Sequence, residues 1–498
     1  MVASPNRGGP PTAQRGSGLQ DPNADPAGSV TPGAPRWITA LAFALVATAA
    51  ICWPVWPGQM NYDGLYAYGS SIEGIRSMVW PPMHAYLFWL SRAAGVGAGG
   101  LLAAQVFALF FGVALAAGLM IRSRAGAWAA SAAFALIAVV VAPMLGVLLV
   151  HFRDVPTTSF AVLSLAAWLL AARLRAPGWL VAAAGFAGLA VSLRYNAAPL
   201  FAFTAPLMIW RPYLDGRAQP RARAVAAIAL AVGFGLAWAS VQWRLPDFKR
   251  LPAPHTLQSV QLFDLLGVSA CAGRSYLPPS VARGQPLTAA QVRQIYDPRH
   301  LQLAFGPHPG VPQIYATQKY MVPQMRADIA RSWTEAVSHH FGCYLAHRSR
   351  VFAWQMGIVG DHVFLPTHGD LDANRYGLAL ARPEASKAVT TYVWRAAAAR
   401  WRRPYLLYLG AALAVGLLAA RRDPRAPLAL ALLGGAFANA GVLYLVAPAA
   451  DARYIFASNV LCAFLIVCAA AIFTERAPGA RAEHVRRKWI PVSPPDVL

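Results

Sequence analysis

The chain has 498 residues, of which 57% are hydrophobic and only 13% are charged. A soluble domain is about 45–50% apolar and about 25% charged, so this composition excludes an ordinary soluble enzyme and a disordered chain. The formal net charge is +23, but the basic residues lie mainly in short clusters between apolar runs. That distribution is typical of membrane topology and not of nucleic-acid binding. We predict an all-α, polytopic integral membrane protein whose partner is the lipid bilayer, with no nucleic acid.

Apolar segments long enough to cross a membrane follow one another along the chain. The hydrocarbon core of a bilayer is about 30 Å thick and needs roughly 20 residues of helix. The first 36 residues are rich in Pro, Gly, Ala and Ser, which predicts a disordered tail. We then predict about ten spans, at 37–57, 98–121, 127–149, 155–174, 178–193, 196–210, 224–243, 404–420, 427–448 and 453–475.

Arginine clusters follow the even-numbered spans and therefore predict the orientation. Examples are Arg122 with Arg124, and Arg421 with Arg422. Because short cytoplasmic loops carry the excess of Lys and Arg, both termini are expected in the cytoplasm. The predicted units are a cytoplasmic tail 1–36, an N-terminal transmembrane module 37–243 with an external loop 58–97, an external region 244–403, C-terminal spans 404–475 and a basic cytoplasmic tail 476–498. The high Ala, Arg and Pro content suggests a bacterial genome rich in GC, hence the inner membrane and a periplasmic face.

Charged residues gather at the outward ends of four spans. They are Asp63, the pair Arg153-Asp154, Arg194, and Asp451 with Arg453. Charges at a membrane boundary lose part of their hydration, so they tend to be paired or functional. Interface anchors and mutual ion pairs explain any one of them equally well, but a set on one face favours a site.

The order of these motifs resembles the C-type glycosyltransferases, which are polytopic enzymes that use polyprenyl-phosphate sugars. The family includes the protein O-mannosyltransferases and the lipid A aminoarabinose transferase. The segments that carry the resemblance are Asn61-Tyr62-Asp63, Trp80-Pro81-Pro82-Met83-His84, Arg153-Asp154, Arg194-Tyr195-Asn196 and Arg453-Tyr454. Two departures stand out: Asp63 is not followed by Glu, and Trp80 stands before the prolines where His or Lys is common.

The resemblance implies transfer of a sugar from a polyprenyl-phosphate donor to an envelope acceptor, which is a glycan, a lipid or a protein. Arginine suits a phosphate because its fork is bidentate, so Arg153, Arg194 and Arg453 are the candidates for the donor phosphate. A carboxylate can accept the proton of the attacking hydroxyl, and Asp63 is the first choice, with Asp154 second. Inversion at the anomeric carbon is expected. The residues predicted to position the substrate are Tyr62, Trp80, His84, Tyr195, Asn196 and Asp451.

Other interpretations stay open at this stage. The chain could be a transporter or a flippase for lipid-linked glycans, or an envelope assembly subunit without catalysis. No cofactor is certain, but a divalent cation is possible, and histidines at 339, 340 and 347 or at 362 and 368 are its weaker candidates. Cys271 and Cys343 both fall in the external region, where they form a disulfide or remain two thiols.

Overall fold

A computed structural model describes residues 34–76, 81–212, 220–243, 249–250, 256–315 and 321–475. The predicted tails therefore lie almost wholly outside the described residues, and so does Trp80. The first helix begins at Ala34, so the predicted end of the tail at residue 36 falls in its first turn.

The described chain is almost entirely helical. The α-helices are Ala34–Cys52, Tyr62–Glu73, Met83–Ala93, Gly97–Met120, Arg124–Val140, Ala142–Leu148, Asp154–Leu174, Gly178–Leu193, Thr204–Trp210, Pro220–Trp243, Thr256–Ala272, Ala289–Ile295, Pro323–His339, Phe341–Gln355, Pro383–Ala398, Pro404–Ala420, Ala426–Val446 and Phe456–Thr474. Short 3₁₀ helices lie at Trp53–Val55, Tyr195–Phe201, Pro279–Ala282, Leu301–Phe305, Arg400–Arg402 and Ala452–Ile455. Two strands of two residues, Ile75–Arg76 and Lys249–Arg250, pair in parallel.

The predicted fold class, all-α with several membrane spans, is confirmed. Among the described residues, six helices are long and apolar enough to cross a membrane, or seven if one bent pair counts as a span. The count of about ten is not confirmed. The predicted spans 178–193 and 404–420 form apolar helices of 16 and 17 residues, which is short for a full crossing.

Prolines explain the two places where a predicted span is broken. The span at 127–149 bends by 91° between helices Arg124–Val140 and Ala142–Leu148. Pro143 has no N–H and its ring clashes with the carbonyl four residues earlier, at Val139. That carbonyl instead accepts a hydrogen bond from the Tyr392 hydroxyl at 3.3 Å. In the predicted span 196–210, Pro199 lies inside a 3₁₀ helix, and no continuous α-helix forms.

The last helix, Phe456–Thr474, forms the centre of the bundle. It packs against helices Arg124–Val140, Pro404–Ala420 and Ala426–Val446, and most of its residues are buried. Helix Asp154–Leu174 packs against helices Gly97–Met120 and Gly178–Leu193, and it also contacts the last helix. Because the last helix is enclosed, the residues just before it, Asp451 to Tyr454, are held in the interior at one end of the bundle.

The segment from 256 to 351 has a hydrophobic core of its own, in which Phe263, Leu266, Val292 and Ile329 are fully or almost fully buried. This segment also contacts the turn that precedes the last helix. The backbone N–H of Ala450 donates to the carbonyl of Arg299 at 2.7 Å. This segment thus contacts the chain just before Asp451.

A buried polar network holds this segment on the bundle. The Arg348 Nε lies 2.7 Å from Asp264 Oδ1, and both side chains are almost fully buried. Trp333 Nε1 donates to the other Asp264 oxygen at 2.8 Å, and Arg348 Nη1 donates to the Ala447 carbonyl at 2.8 Å. Burial raises the pKa of Asp264 to about 6, although Arg348 and Trp333 oppose that rise. In the same segment the sulfur atoms of Cys271 and Cys343 are bonded.

Candidate active site

The stretch Gln59-Met60, shortly before Asp63, pairs through its backbone with two other parts of the chain. The Gln59 N–H donates to the Leu149 carbonyl at 3.1 Å, and the His151 N–H donates to the Gln59 carbonyl at 2.9 Å. On the other side, the Met60 N–H donates to the Asp370 carbonyl at 3.0 Å. The chain before Asp63 therefore lies between the segment 149–151 and the loop that contains Asp370.

Helix Tyr62–Glu73 starts directly after this paired stretch. Asn61 is its N-cap, and the side-chain oxygen of Asn61 accepts from the Gly64 N–H at 3.3 Å. Asp63 therefore lies in the first helical turn, where a carboxylate is favoured by the helix dipole. The cap thus fixes the direction in which the Asp63 carboxylate leaves the backbone.

Arg453 joins two of the predicted acidic residues. Its Nη1 donates to Asp63 Oδ2 at 2.8 Å, and its Nε lies 2.8 Å from Asp451 Oδ2. Only 1% of the Asp451 side chain is exposed. The same guanidinium lies over the ring of Phe152, with 4.6 Å to the ring centroid. One arginine therefore links the start of helix Tyr62–Glu73 to the residues just before the last helix.

His368 extends this cluster from the loop between helices Phe341–Gln355 and Pro383–Ala398. Its Nε2 lies 3.1 Å from Asp451 Oδ2, and Asn61 Nδ2 lies 3.3 Å from its Nδ1. An amide nitrogen is a donor, so the Asn61 contact assigns the acceptor to Nδ1 and the proton to Nε2, facing Asp451. The result is a hydrogen-bonded path from Asn61 through His368 to Asp451.

Arg194 and Asp154 form a second ion pair at the same end of the bundle. The Arg194 Nε also donates to Asn196 Oδ1 at 3.2 Å. The guanidinium of Arg194 lies 4.9 Å from the centroid of the Tyr454 ring, and that of Arg453 lies 5.5 Å from it. Tyr454 therefore separates the two ion-paired arginines.

Arg153 differs from these two arginines because its guanidinium forms no hydrogen bond or ion pair with any residue that the structure describes. It lies at the start of helix Asp154–Leu174 and lines the same cleft as Asp63 and Arg453. Burial lowers the pKa of Arg153, and the charge of Asp63 opposes that shift. A partly buried cation without a partner is costly unless an anion joins it.

The cleft itself has about 470 Å³ of unfilled space, including the part open to solvent. The lining residues are Asp63, Tyr66, Ala67, Ser70, Ile75, Pro81, Pro82, His84, Ala85, His151, Phe152, Arg153 and Arg453. The wall between the two arginines and the Pro81-Pro82 segment is thus part apolar and part cationic. Such a mixture suits a ligand with an anionic group attached to a bulkier body.

The two carboxylates next to Arg453 are held ionised. Burial alone would raise the pKa of Asp63, but Arg453 and Arg153 outweigh it, so the pKa lies below its ordinary value. Burial would also raise the pKa of Asp451, and there Arg453 and His368 reverse the shift. At neutral pH both groups are therefore carboxylates, paired with the same guanidinium.

The structure brings only some of the predicted site residues to the cleft. Asp63, His84, Arg153 and Arg453 line it, whereas Asp154, Arg194 and Asn196 form a neighbouring cluster, and Asp451 lies behind Arg453. Tyr62 and Tyr195 are 66% and 57% exposed and do not line the cleft. The catalytic, phosphate-binding and positioning roles given to these residues stay predictions.

The histidines considered for a metal do not come together. His347 is buried against Asp264, and His339 contacts the carbonyl of Glu335 in its own helix. In the part of the chain that the structure describes, no three His, Cys, Asp or Glu side chains are grouped so that they could hold a metal ion.

The sequence interpretation missed Phe152 and considered His368 only as a weak candidate for a divalent cation. Phe152 carried a signal, because it stands between His151 and Arg153 in the motif itself. His368 carried none, because its partner Asp451 is 83 residues away and no periodicity links the two.

No family model and no curated protein matches the chain. Among solved structures, the chain is similar to ArnT from Cupriavidus metallidurans in two crystal structures. The form bound to undecaprenyl phosphate is 14% identical over 92% of this chain and 81% of that chain, with a TM-score of 0.31. The apo form is 15% identical over 86% and 77%, with a TM-score of 0.30.

ArnT is the lipid A aminoarabinose transferase, a C-type glycosyltransferase. The superposition is too weak to support an activity for this chain.

Proposed function

We propose that this protein is a glycosyltransferase that moves a sugar from a polyprenyl-phosphate donor to an acceptor of the cell envelope. The observation that carries the proposal is Arg153, a cation without a partner among the described residues, beside the Asp63–Arg453 pair in a cleft. A lipid phosphate keeps its chain in the bilayer and its head group at the membrane boundary. The charges of the cleft lie at the ends of predicted spans, which matches that position.

In this proposal Arg153 binds the donor phosphate. An arginine fork matches two phosphate oxygens, and a charged hydrogen bond is roughly twice as strong as a neutral one. Arg453 lies on the same cleft but already holds two carboxylates. Arg153 is therefore the cation that is available before the donor arrives, and Arg453 is the second cation once its pairing with Asp63 loosens.

Asp63 is the proposed general base. The hydroxyl oxygen of the acceptor attacks the anomeric carbon, and the bond from that carbon to the phosphate oxygen breaks. The polyprenyl phosphate leaves with the electron pair, and the hydroxyl proton passes to the Asp63 carboxylate. A carboxylate paired with arginine is a weak base, so its proton affinity rises when Arg453 turns toward the departing phosphate. Direct displacement of this kind inverts the anomeric centre.

The Arg194–Asp154 pair has a supporting role in this proposal. It packs against Tyr454, which in turn lies beside the Arg453 guanidinium. We propose that this pair, together with Asp451 and His368, orients the guanidinium of Arg453. Because Arg194 is already paired with Asp154, we propose Arg153 as the first contact of the donor phosphate and Arg194 as a later one.

The cellular placement follows the distribution of arginines. We propose a multi-pass protein of the bacterial inner membrane with both termini in the cytoplasm, and with 58–97 and 244–403 on the periplasmic face. The module 37–243 and the spans 404–475 supply the catalytic residues, and the external region supplies His368. The acceptor is therefore a molecule that is reached from the periplasm.

The test is mass spectrometry of envelope glycans from a deletion strain that carries the wild-type gene or a variant. The variants are Asp63→Asn, Arg153→Gln and, as a matched control, Asp328→Asn, a half-buried aspartate of helix Pro323–His339 that does not line the cleft. We expect a hexose- or pentose-sized mass to disappear on deletion and to return with the wild type and with Asp328→Asn only.

Two outcomes would contradict the proposal. If Asp63→Asn and Arg153→Gln both restore the mass at wild-type level, the cleft charges are not catalytic. If no glycan mass depends on the gene, the protein does not transfer a sugar, and movement of a lipid-linked glycan across the bilayer becomes the alternative to measure. An assembly subunit without catalysis would tolerate Asp63→Asn, provided that the variant still assembles.

A further inference from the structure

Two buried histidines of the cleft have ring nitrogens without a partner. His84 is 5% exposed and His151 is completely buried, and both line the cleft. The Nε2 of His84 and the Nδ1 of His151 are buried and have no hydrogen-bond partner in the described structure. A buried nitrogen left without a partner loses its hydration without compensation, so these two atoms indicate a ligand.

The tautomer of His151 follows from its one hydrogen bond. Its Nε2 lies 2.9 Å from the carbonyl oxygen of Pro57. A carbonyl only accepts, so Nε2 must carry the proton, and the neutral ring has a bare lone pair on Nδ1. His151 therefore has an acceptor atom, Nδ1, that no described residue uses.

Packing fixes the positions of both rings. The Phe88 ring lies between them, with centroid distances of 5.0 Å to His84 and 5.1 Å to His151. Both imidazoles are neutral at physiological pH. Burial, together with the charge of Arg153, lowers the pKa of His84 to about 3, and burial lowers the pKa of His151 to about 4. The rings are thus held neutral: His151 can only accept, at Nδ1, because its proton is used by Pro57, whereas the Nε2 of His84 can donate or accept according to its tautomer.

A neutral imidazole matches a hydroxyl group, which also donates and accepts. A phosphate would instead favour the charged guanidinium of Arg153. In a polyprenyl-phosphate sugar, the ring hydroxyls lie within a few bonds of the phosphate. A phosphate on Arg153 therefore brings the hydroxyls of its own sugar into the same cleft as His84 and His151.

The charges of the cleft also discriminate between sugars. Asp63 is its only described carboxylate, and that carboxylate is paired with Arg453. The ammonium of an amino sugar would meet Arg153, Arg453 and two neutral imidazoles, without an anion free to pair with it. A hydroxyl at the same position meets no such repulsion.

We propose that His84 and His151 form a hydroxyl-binding pocket for the donor sugar, and that this pocket selects an uncharged sugar over an amino sugar. The inference rests on the proposed function, because it needs the donor phosphate on Arg153. It adds the class of the sugar and the residues that recognise it.

The test is a binding measurement on the full chain in lipid nanodiscs with three diester probes. They are undecaprenyl methyl phosphate, undecaprenyl phosphoglucose and undecaprenyl phosphoglucosamine. All three carry one phosphate charge, so the methyl probe measures the phosphate contact alone. The two sugar probes differ from each other at one position, where glucose has a hydroxyl and glucosamine has an ammonium group. We expect the glucose probe to bind about tenfold more tightly than the methyl probe, as one buried hydrogen bond allows. The glucosamine probe should bind more weakly than the glucose probe.

The variants are His84→Leu, His84→Gln and His84→Asn. Gln carries its amide at about the reach of Nε2, so it should retain most of the sugar-dependent gain, whereas Leu and Asn should lose it. Affinity for the methyl probe should stay within about twofold in all three. Because Asn is polar, it serves as the loss variant if Leu does not fold. His339→Leu, on the exposed surface of another helix, is the matched control.

The outcomes separate the two proposals. If the wild type binds none of the three lipids, the proposed function fails and this inference fails with it. If it binds the methyl probe as tightly as the glucose probe, or if His84→Asn and His84→Leu keep the gain, only the sugar pocket is overturned. Equal loss of all three probes in every His84 variant would assign His84 to structure alone and would also overturn the pocket.

Discussion

Arg153→Gln and Arg453→Gln should separate ligand binding from stability. Both residues line the cleft, but Arg453 holds Asp63 and Asp451, whereas the Arg153 guanidinium holds no described residue. Replacing Arg153 by the neutral Gln removes a partly buried cation without leaving an orphaned anion. Replacing Arg453 leaves two partly or fully buried carboxylates without their counter-charge.

The expected magnitudes differ accordingly. A hydrogen bond to a charged group contributes about 1.5–3 kcal/mol, so Arg153→Gln should weaken binding of a polyprenyl phosphodiester by roughly 10- to 150-fold. Its melting temperature should stay at or above that of the wild type, because the free protein loses an unpaired charge. Breaking a buried ion pair costs about 3–5 kcal/mol, so Arg453→Gln should lower the melting temperature by several degrees and also weaken binding.

The assay combines thermal unfolding in detergent with binding of undecaprenyl methyl phosphate in nanodiscs. Arg400→Gln is the matched control, because Arg400 is exposed and does not line the cleft. If Arg153→Gln binds the lipid like the wild type, the phosphate does not contact Arg153. If it melts as early as Arg453→Gln, Arg153 has a structural partner and the reasoning from its unpaired charge is wrong.

Three further results are expected. The pKa of Asp451 lies below its ordinary value, so its contribution to stability is present above about pH 4 and is lost as the pH falls through the folded-state pKa. The melting-temperature difference between wild type and Asp451→Asn should therefore be constant above pH 5 and shrink below pH 4; a constant difference down to pH 3 would contradict the shift. The pKa of His84 is about 3, so its ring stays neutral between pH 5.5 and 8. The ratio of glucose-probe affinities between wild type and His84→Asn should therefore be constant over this range. A change of that ratio near pH 6.5 would show that His84 titrates normally. Arg348→Met leaves Asp264 buried without its cation and should destabilise the protein by about 3–5 kcal/mol, measured by denaturation, whereas an unchanged midpoint would contradict the buried pair.

Hydropathy alone predicts the membrane helices because each must satisfy its backbone internally and present apolar side chains to lipid. It does not reveal how many helices cross fully. Helix Gly178–Leu193 is apolar but only 16 residues long. Pro143 bends one predicted span because it removes a backbone donor, and the sequence shows the proline but not the direction of the turn.

Part of the candidate site is likewise predictable from the sequence, and part of it is not. The sequence predicts Asp63 and Arg453 on one face, because Asp63 follows the first predicted span and Arg453 lies at the start of the last one. The structure joins the two side chains across 390 positions. Which arginine stays without a partner was not predictable, since Arg153 and Arg194 flank similar spans. The contact of His368 with Asp451 depends on the path of a loop in the external region, and no local pattern encodes that path.

A structure with a bound phosphonate analogue of a polyprenyl-phosphate hexose, in which carbon replaces the scissile oxygen, tests the central claim most directly. We expect the phosphonate within hydrogen-bonding distance of the Arg153 guanidinium, with the Asp63 carboxylate facing the anomeric carbon and the sugar inside the cleft beside His84. A phosphonate bound elsewhere on the protein, with Arg153 still unpaired, would contradict the assignment of this cleft as the active site.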